Sequence, residues 1–181
     1  MNKRALLIID IQNDYFEGGS NPLYGSLEAS LKAKFLLEKF RTSNELTIHI
    51  RHISIRPGAT FFLPGTIGSE IHSNVFPFEE EIVVEKHFPN SFKETDLKTI
   101  LDKNEVDSLV VCGMMTHMCI DTTVRAAKDL GYHCTLIADA CATKDLSFAG
   151  KTVKAEDVHT SFLSALNGTF ARVIKVEELK L

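Results

Sequence analysis

The sequence predicts an α/β protein built on one open, mostly parallel β-sheet. Short apolar runs alternate along the chain with segments of helical spacing, an order typical of βαβ units. The first run, RALLIID at residues 4–10, is continuously apolar, as in strands that are buried on both faces. With 181 residues, 44% of them hydrophobic, the chain fits a single domain spanning 1–181 with a sizeable core.

Six strands and four helices follow from the pattern. The predicted strands are residues 4–10, 45–51, 81–85, 107–113, 132–138 and 171–176. The predicted helices are residues 26–43, 95 or 96 to 103, 118–130 (ended by Gly131) and 154–166. If the sheet has the common order 3-2-1-4-5-6, the first and fourth strands flank the point where strand order reverses.

The first helix has an apolar side and a plausible N-cap. Ser26 is placed to cap it. Helical spacing puts five apolar residues on one side, which we expect to face the core: Leu27, Leu31, Phe35, Leu36 and Phe40.

A long segment without periodicity follows the second strand, from His52 to Glu80. It carries the aromatic pair Phe61 and Phe62, which with Leu63 looks exposed. Loops of this length in a compact domain are usually functional, so we expect a lid or an oligomer contact here.

Composition excludes several classes of partner. The net charge is −4 and no cluster of lysine and arginine occurs, so we expect no nucleic-acid partner. The apolar runs are too short for a signal peptide or a membrane span, so a soluble cytoplasmic protein without membrane contact is expected. No GxGxxG follows the first strand and no GxxxxGK[ST] is present, which argues against dinucleotide and nucleoside triphosphate sites.

Three reactive side chains are predicted to meet at one edge of the sheet. Asp10 ends the first strand, Lys86 follows the third, and Cys119 begins the helix after the fourth. Ligands of open α/β sheets bind at the carboxyl ends of the strands. Taken singly, each residue has an ordinary explanation: a turn-capping aspartate, a solvated lysine and a small buried cysteine.

Together the three suggest nucleophilic chemistry. A thiol in a first helical turn meets unpaired N–H groups and the positive end of the helix dipole, which favour the thiolate. Asp10 would accept the thiol proton. Lys86 would be a fixed cation that orients both anions and stabilises negative charge on a substrate. The other cysteines lack a CxxC pairing, and Cys112 and Cys134 lie in apolar runs typical of core thiols.

Four segments in a fixed order carry a family resemblance: LLIIDIQNDYF, EKHFPNSF, GMMTHMCIDTTVRAA and DACAT. With them the chain resembles the isochorismatase-like cysteine hydrolase superfamily over essentially its whole length. The resemblance implies a Rossmann-like three-layer α/β/α fold and an Asp–Lys–Cys triad at Asp10, Lys86 and Cys119. It also implies a cis peptide bond between Met114 and Met115, and an oxyanion hole formed by the N–H groups of Met115 and Cys119.

The implied activity is cleavage of a non-peptide C–N bond in a small amide, ureido or carbamoyl compound through a thioester. Nicotinamidases of this family carry an Asp-x-His metal motif after the second strand, where this chain has His52 and Ser54. We therefore expect no metal and no other cofactor. Isochorismatase-type cleavage of a vinyl ether stays an alternative, although those enzymes generally lack the cysteine. A reactive-thiol redox or binding protein without turnover is the second alternative.

Further residues are candidates for substrate contact or for structural roles. Residues that could contact a small-molecule substrate are Gln12, Tyr15, Phe16, Phe61, Phe62, Phe92 and His117. Thr116 is expected to satisfy the turn before Cys119, and His159 to be a structural histidine of the last helix. Members of the family are commonly oligomeric, so the resemblance implies a homodimer or homotetramer.

Overall fold

The protein, described from a computed structural model over residues 3–180, forms a six-stranded parallel sheet of order β3-β2-β1-β4-β5-β8. Its strands are β1 (Lys3–Ile9), β2 (Leu46–His52), β3 (Ile82–Lys86), β4 (Val106–Met114), β5 (His133–Ala142) and β8 (Arg172–Ile174). A separate two-stranded hairpin, β6 (Leu146–Phe148) and β7 (Lys151–Val153), lies between β5 and the last helix. The predicted strand order is confirmed, with the sixth strand of the sheet now numbered β8.

Helices cover both faces of the sheet. They are α1 (Ser26–Thr42), α2 (Leu97–Lys103), α3 (Asp121–Asp129) and α4 (Ala155–Leu166). Alternate residues of β1 enter two separate apolar clusters, Leu6 and Ile8 on the α1 side and Leu7 and Ile9 on the side of α2 and α3. This alternation explains why β1 reads as a continuous apolar run, and it confirms the three-layer α/β/α fold.

The face that α1 buries differs from the predicted one. Leu36 and Phe40 are buried together with Ala29, Ala33 and Leu37, whereas Leu27, Leu31 and Phe35 are exposed. The small alanines let the helix approach the sheet closely, so the leucine stripe four residues apart turns outward. The N-cap is Gly25 in a left-handed conformation, and Ser26 is the first helical residue, so the predicted Ser26 cap is wrong.

The hairpin β6–β7 was not predicted from the sequence. Its strands have three residues each and are joined by a turn at Ala149 and Gly150; Phe148, the last residue of β6, is 87% exposed. Strands this short have too few positions for a period of two to show.

The long loop after β2 is ordered by its contacts with the segment after β1. It contains two short 3₁₀ turns, Ile67–Ser69 and Ser73–Val75. Phe62 is fully buried, contrary to the expectation of exposure. The buried carboxylate of Asp14 accepts hydrogen bonds from the N–H groups of Phe62 (2.6 Å) and Ser20 (3.0 Å). It thereby joins the loop after β2 to the segment after β1. Within residues 3–180, no helix has the length and apolarity that crossing a bilayer requires.

Candidate active site

Asp10 is the first residue after β1 and is fully buried. Its backbone adopts a left-handed conformation (φ 52°), one that aspartate tolerates better than most residues. Its N–H donates to the carbonyl of Ile50, 3.0 Å away. The carboxylate therefore leaves β1 in a direction fixed by the neighbouring strand.

Lys86 is the last residue of β3, and its side chain is 0% exposed. Its ammonium donates to Asp10 Oδ2 at 2.7 Å and to the carbonyl of Phe88 at 3.1 Å, and lies 3.1 Å from His52 Nδ1. The alternative of a solvated lysine is wrong. Burial opposes the charge, but Asp10 and Cys119 outweigh it, so the pKa of Lys86 is raised.

A glycine and a π-helical turn deliver Cys119. At Gly113 a Cβ atom would lie 2.0 Å from the carbonyl oxygen of Ile9, and φ is 130°, so only glycine lets β4 pass β1 here. The Met114–Met115 peptide bond is cis, the geometry that the resemblance implies. Residues Thr116–Ile120 form the π-helical turn, and α3 begins at Asp121. The predicted helix 118–130 therefore starts too early, and Cys119 lies before the α-helix instead of in its first turn.

Four adjacent strands each contribute one group to the site. In spatial order they are Lys86 from β3, His52 from β2, Asp10 from the end of β1 and Cys119 from the turn after β4. Ligating atoms of Asp10, His52 and Cys119 all lie within 4.8 Å of one another. Asp10 Oδ1 is buried without a hydrogen-bond partner among the described residues, so one oxygen of this carboxylate is free to accept a proton.

The resting state of Cys119 differs from the expected thiolate. Burial is the main cause that raises the pKa of the Cys119 thiol; Asp10 adds to it, and Lys86 opposes it. The attraction of the Lys86 ammonium does not offset the burial of the thiol and the nearby Asp10 carboxylate, so this environment favours the protonated thiol.

His52 also belongs to the site, although the sequence motifs did not identify it as a contact of Asp10 and Lys86. Burial lowers its pKa to about 4, so the imidazole is neutral and its Nδ1 accepts from Lys86. The Nε2 atom then carries the proton. His52 ends β2 at the same edge as Asp10 and Lys86, and that position was the available signal.

By distance alone, Asp10, His52 and Cys119 could hold a metal ion. However, the Lys86 ammonium already contacts two of the three, and a divalent ion there would face a buried positive charge. The donor set therefore fits a protonated lysine better than a metal, and the expectation of a metal-free site stands as a prediction.

A cavity of about 430 Å³ opens directly onto Cys119. Tyr15, Phe61 and Phe62 form one aromatic corner, with ring centroids 4.6 Å (Tyr15–Phe62) and 5.0 Å (Phe61–Phe62) apart. Met115 lines the cavity next to the thiol. Three of the predicted substrate-contact residues thus meet in this wall.

The other predicted contacts lie elsewhere. Gln12 is fully buried; its amide nitrogen donates to the carbonyls of His52 (2.8 Å) and Ser69 (2.9 Å), and its oxygen accepts from the His52 N–H (2.7 Å). It positions the end of β2 and has no donor left for a substrate. Phe16 stacks on His72 at 3.7 Å, away from the cavity lining.

Phe92 and His117 are also outside the cavity lining. Phe92 stacks on Tyr132 at 5.9 Å in the core under α2 and α3. His117 Nδ1 lies 2.6 Å from the hydroxyl of Thr143. Both side chains are held by neighbours that only the folded arrangement reveals.

Thr116 and His159 support the turn, as expected. The Thr116 hydroxyl donates to the carbonyl of Ala142 (3.2 Å) and lies 2.8 Å from His159 Nδ1. The histidine therefore braces the segment that carries Cys119.

An open parallel sheet with a thiol, a carboxylate and an ammonium at its switch point defines a class of α/β proteins whose site lies at the carboxyl edge of the sheet. Comparison with known proteins identifies the family within this class. The isochorismatase domain model matches residues 4–178, and the chain belongs to the isochorismatase family of hydrolases.

Curated relatives include YddQ, an isochorismatase family protein of Bacillus subtilis (strain 168), 50% identical over 96% of both chains. A streptothricin hydrolase of Streptomyces noursei is 35% identical over 81% of this chain and 52% of its own length. Nicotinamidase 3 of Arabidopsis thaliana is 27% identical over 97% of this chain and 86% of its own.

Solved structures agree with the fold. A protein of Oleispira antarctica described as an isochorismatase hydrolase superposes with a TM-score of 0.94 at 49% identity, over 98% of this chain and 95% of that one. A cysteine hydrolase from Pseudomonas syringae pv. phaseolicola 1448A has a TM-score of 0.91 at 25% identity, over 97% and 90% of the two chains.

Proposed function

We propose that the protein is a metal-independent cysteine amidohydrolase that cleaves a non-peptide C–N bond in a small amide, ureido or carbamoyl compound. One observation carries the proposal. The Cys119 thiol lies at an apolar cavity and within 4.8 Å of a carboxylate oxygen of Asp10, and Asp10 Oδ2 accepts from the buried Lys86 ammonium. A base, a nucleophile and a fixed cation are thus within reach of one substrate atom.

The first half of the reaction forms a thioester. Asp10 takes the thiol proton as the Cys119 sulfur attacks the substrate carbonyl carbon, so no free thiolate has to accumulate in the resting protein. The tetrahedral intermediate collapses, the C–N bond breaks, and protonated Asp10 gives its proton to the leaving nitrogen. Lys86 keeps its charge throughout and stabilises the carboxylate form of Asp10.

The second half regenerates the thiol. Water attacks the thioester carbonyl while Asp10 accepts a proton from that water. The C–S bond then breaks, the acid product leaves, and the proton returns to sulfur.

The oxyanion hole is assigned to the N–H groups of Met115 and Cys119. Among residues 3–180, no backbone or side-chain acceptor takes the Met115 N–H, which leaves it available. Donors of this kind contribute roughly 3–4 kcal/mol each in comparable sites. Met115 also lines the cavity beside the thiol, so a carbonyl carbon near sulfur has its oxygen close to this turn.

The names of the relatives support an amide-type substrate. Streptothricin hydrolase and nicotinamidase are hydrolases, and the cysteine hydrolase of Pseudomonas syringae shares the fold. Ether cleavage, the first alternative, does not require a sulfur nucleophile and would give Cys119 no catalytic role. The redox alternative requires a second thiol, whereas the three other cysteines are buried, free and outside the cavity lining.

A panel of primary amides, ureas and carbamoyl compounds tests the proposal. We expect ammonia release by the wild type for at least one compound, and release at the enzyme-free rate for Cys119→Ala. Cys134→Ala, at a buried cysteine away from the cavity, is the matched control and should keep the wild-type rate. Equal release by wild type and Cys119→Ala would exclude the cysteine mechanism.

Assembly and location remain proposals. We propose a homodimer or homotetramer; exposed apolar side chains on α1 and on the β6–β7 hairpin are compatible with subunit contacts. We also propose a cytoplasmic location, as expected from the sequence.

A further inference from the structure

The charge of the cavity lining carries information about the substrate. Thirteen residues line the cavity. None of them is an aspartate or a glutamate. Arg56 is the one permanent cation among them.

The buried groups behind the lining add no net charge to the cavity. Asp10 and Lys86 form an ion pair and cancel each other, and Cys119 is a neutral thiol. His52 is neutral, because burial holds its pKa near 4. The nearby carboxylate of Asp14 is engaged by the N–H groups of Phe62 and Ser20 and is not part of the lining. The cavity therefore has a net positive charge.

That charge lies at the open end. Arg56 is exposed and has no carboxylate partner within the described part of the chain, whereas Cys119 is only 4% exposed. A substrate bound with its carbonyl at the thiol thus has its far end toward a free guanidinium. Guanidinium groups pair well with carboxylates because their donors match both oxygens.

The size and walls of the cavity suit a planar apolar body between these two ends. Aromatic rings are contributed by Tyr15, Phe61, Phe62 and Phe88. An apolar cavity of roughly 150 Å³ is enough for benzene. The observed volume of about 430 Å³ therefore has room for one ring with a substituent at each end.

Resting on the function proposed above, we propose that the substrate is an aromatic or similarly planar amide that carries a carboxylate at the end away from the scissile carbonyl. Arg56 is the residue that selects for this carboxylate. A cationic group at the same place would meet the guanidinium without any anion to offset it, so cationic amides should be the poorest substrates.

Three probes that share a benzamide core and differ in the charge of the para position test this selection: benzamide, 4-carbamoylbenzoate and 4-(aminomethyl)benzamide. We expect kcat/KM for ammonia release to be highest for the carboxylate and lowest for the ammonium compound. A single charge contact in a wet site corresponds to a preference of about fivefold, and this preference should shrink in 0.5 M NaCl because exposed charges are screened.

Two matched variants test whether Arg56 causes the preference for the carboxylate probe. Arg56→Gln should remove it, while Arg172→Gln, at an exposed arginine on the edge strand β8, should leave it unchanged. Equal kcat/KM for the three probes in the wild type, or a preference that survives in Arg56→Gln, would overturn the proposal.

A binding measurement separates this inference from the catalytic proposal. The three probes are titrated into Cys119→Ala by calorimetry, which requires no turnover. Tighter binding of 4-carbamoylbenzoate, lost in the Arg56→Gln double variant, supports the inference even if wild type hydrolyses none of the probes. Equal affinity, or no binding of any probe, overturns it whatever the outcome of the ammonia assay.

Discussion

At the scale of single residues, the site depends on how one buried ammonium is shared. Lys86 contacts Asp10, His52 and Phe88. Burial and the Asp10 carboxylate raise the pKa of Cys119 by more than the Lys86 charge lowers it. A thiol beside a lysine would suggest a thiolate by residue type alone. Burial and the Asp10 carboxylate instead favour the protonated thiol. Proton transfer from Cys119 to Asp10 is therefore part of the reaction.

The rate of Cys119 alkylation should depend on pH. Because burial raises the pKa of this thiol, the thiolate fraction is small at pH 6 and grows as pH increases. We expect the rate with iodoacetamide, followed by peptide mass mapping of Cys119, to rise steadily from pH 6 to pH 9. A plateau reached below pH 7 would show a low-pKa thiolate and contradict this account.

Asp10→Asn is the informative variant for that profile. It keeps the shape of the side chain but removes the negative charge, so Lys86 is left to compensate the thiolate. The pKa of Cys119 should fall, and the alkylation rate should level off at a lower pH than in the wild type. The same variant should lose turnover, because the proton acceptor is gone.

At the scale of structural elements, the wall of the cavity depends on a clamp between two loops. Asp14, in the loop after β1, accepts the N–H groups of Phe62 and Ser20. It also fills the space beside Gly68, where a Cβ atom would lie 2.1 Å from Asp14 Oδ1. The aromatic corner of Tyr15, Phe61 and Phe62 is therefore set by a residue that does not itself line the cavity.

We predict that Asp14→Ala lowers the free energy of unfolding by about 1–3 kcal/mol, because the buried N–H of Phe62 loses its acceptor. Urea denaturation measures this change, and limited proteolysis should show earlier cleavage in residues 54–70. Asp14→Asn keeps an acceptor oxygen and should lose less. Glu17→Ala, at an exposed carboxylate of the same loop, is the control and should be nearly neutral. A loss in Glu17→Ala equal to that in Asp14→Ala would argue against the clamp.

At the scale of the whole molecule, the strand order is what brings the reactive groups together. Polar residues at or just after the ends of β1, β2 and β3, and the thiol after β4, come from four adjacent strands and meet at the switch point. Asp10, Lys86 and Cys119 could be anticipated from sequence because each follows or ends an apolar run. The same rule would have included His52, which ends β2.

Other features depend on tertiary contacts that residue type does not encode. The Gln12 side chain hydrogen-bonds to the backbone of His52 and Ser69. This arrangement exists only once the loop after β2 has folded back. Phe92 enters the core because Tyr132 offers it a stacking partner. The outward leucines of α1 reflect a choice between two apolar stripes, which helical periodicity alone leaves open.

Trapping the acyl-enzyme would show whether Cys119 is the nucleophile. The wild type is mixed with the amide that it hydrolyses fastest, quenched in acid, and analysed by intact mass and peptide mapping, with hydroxylamine added in a parallel reaction. The account predicts an acyl adduct on the peptide containing Cys119, its absence in Cys119→Ala, and hydroxamate formed by the hydroxylamine reaction at the expense of the acid. Ammonia release with neither an adduct on Cys119 nor a hydroxamate would contradict it.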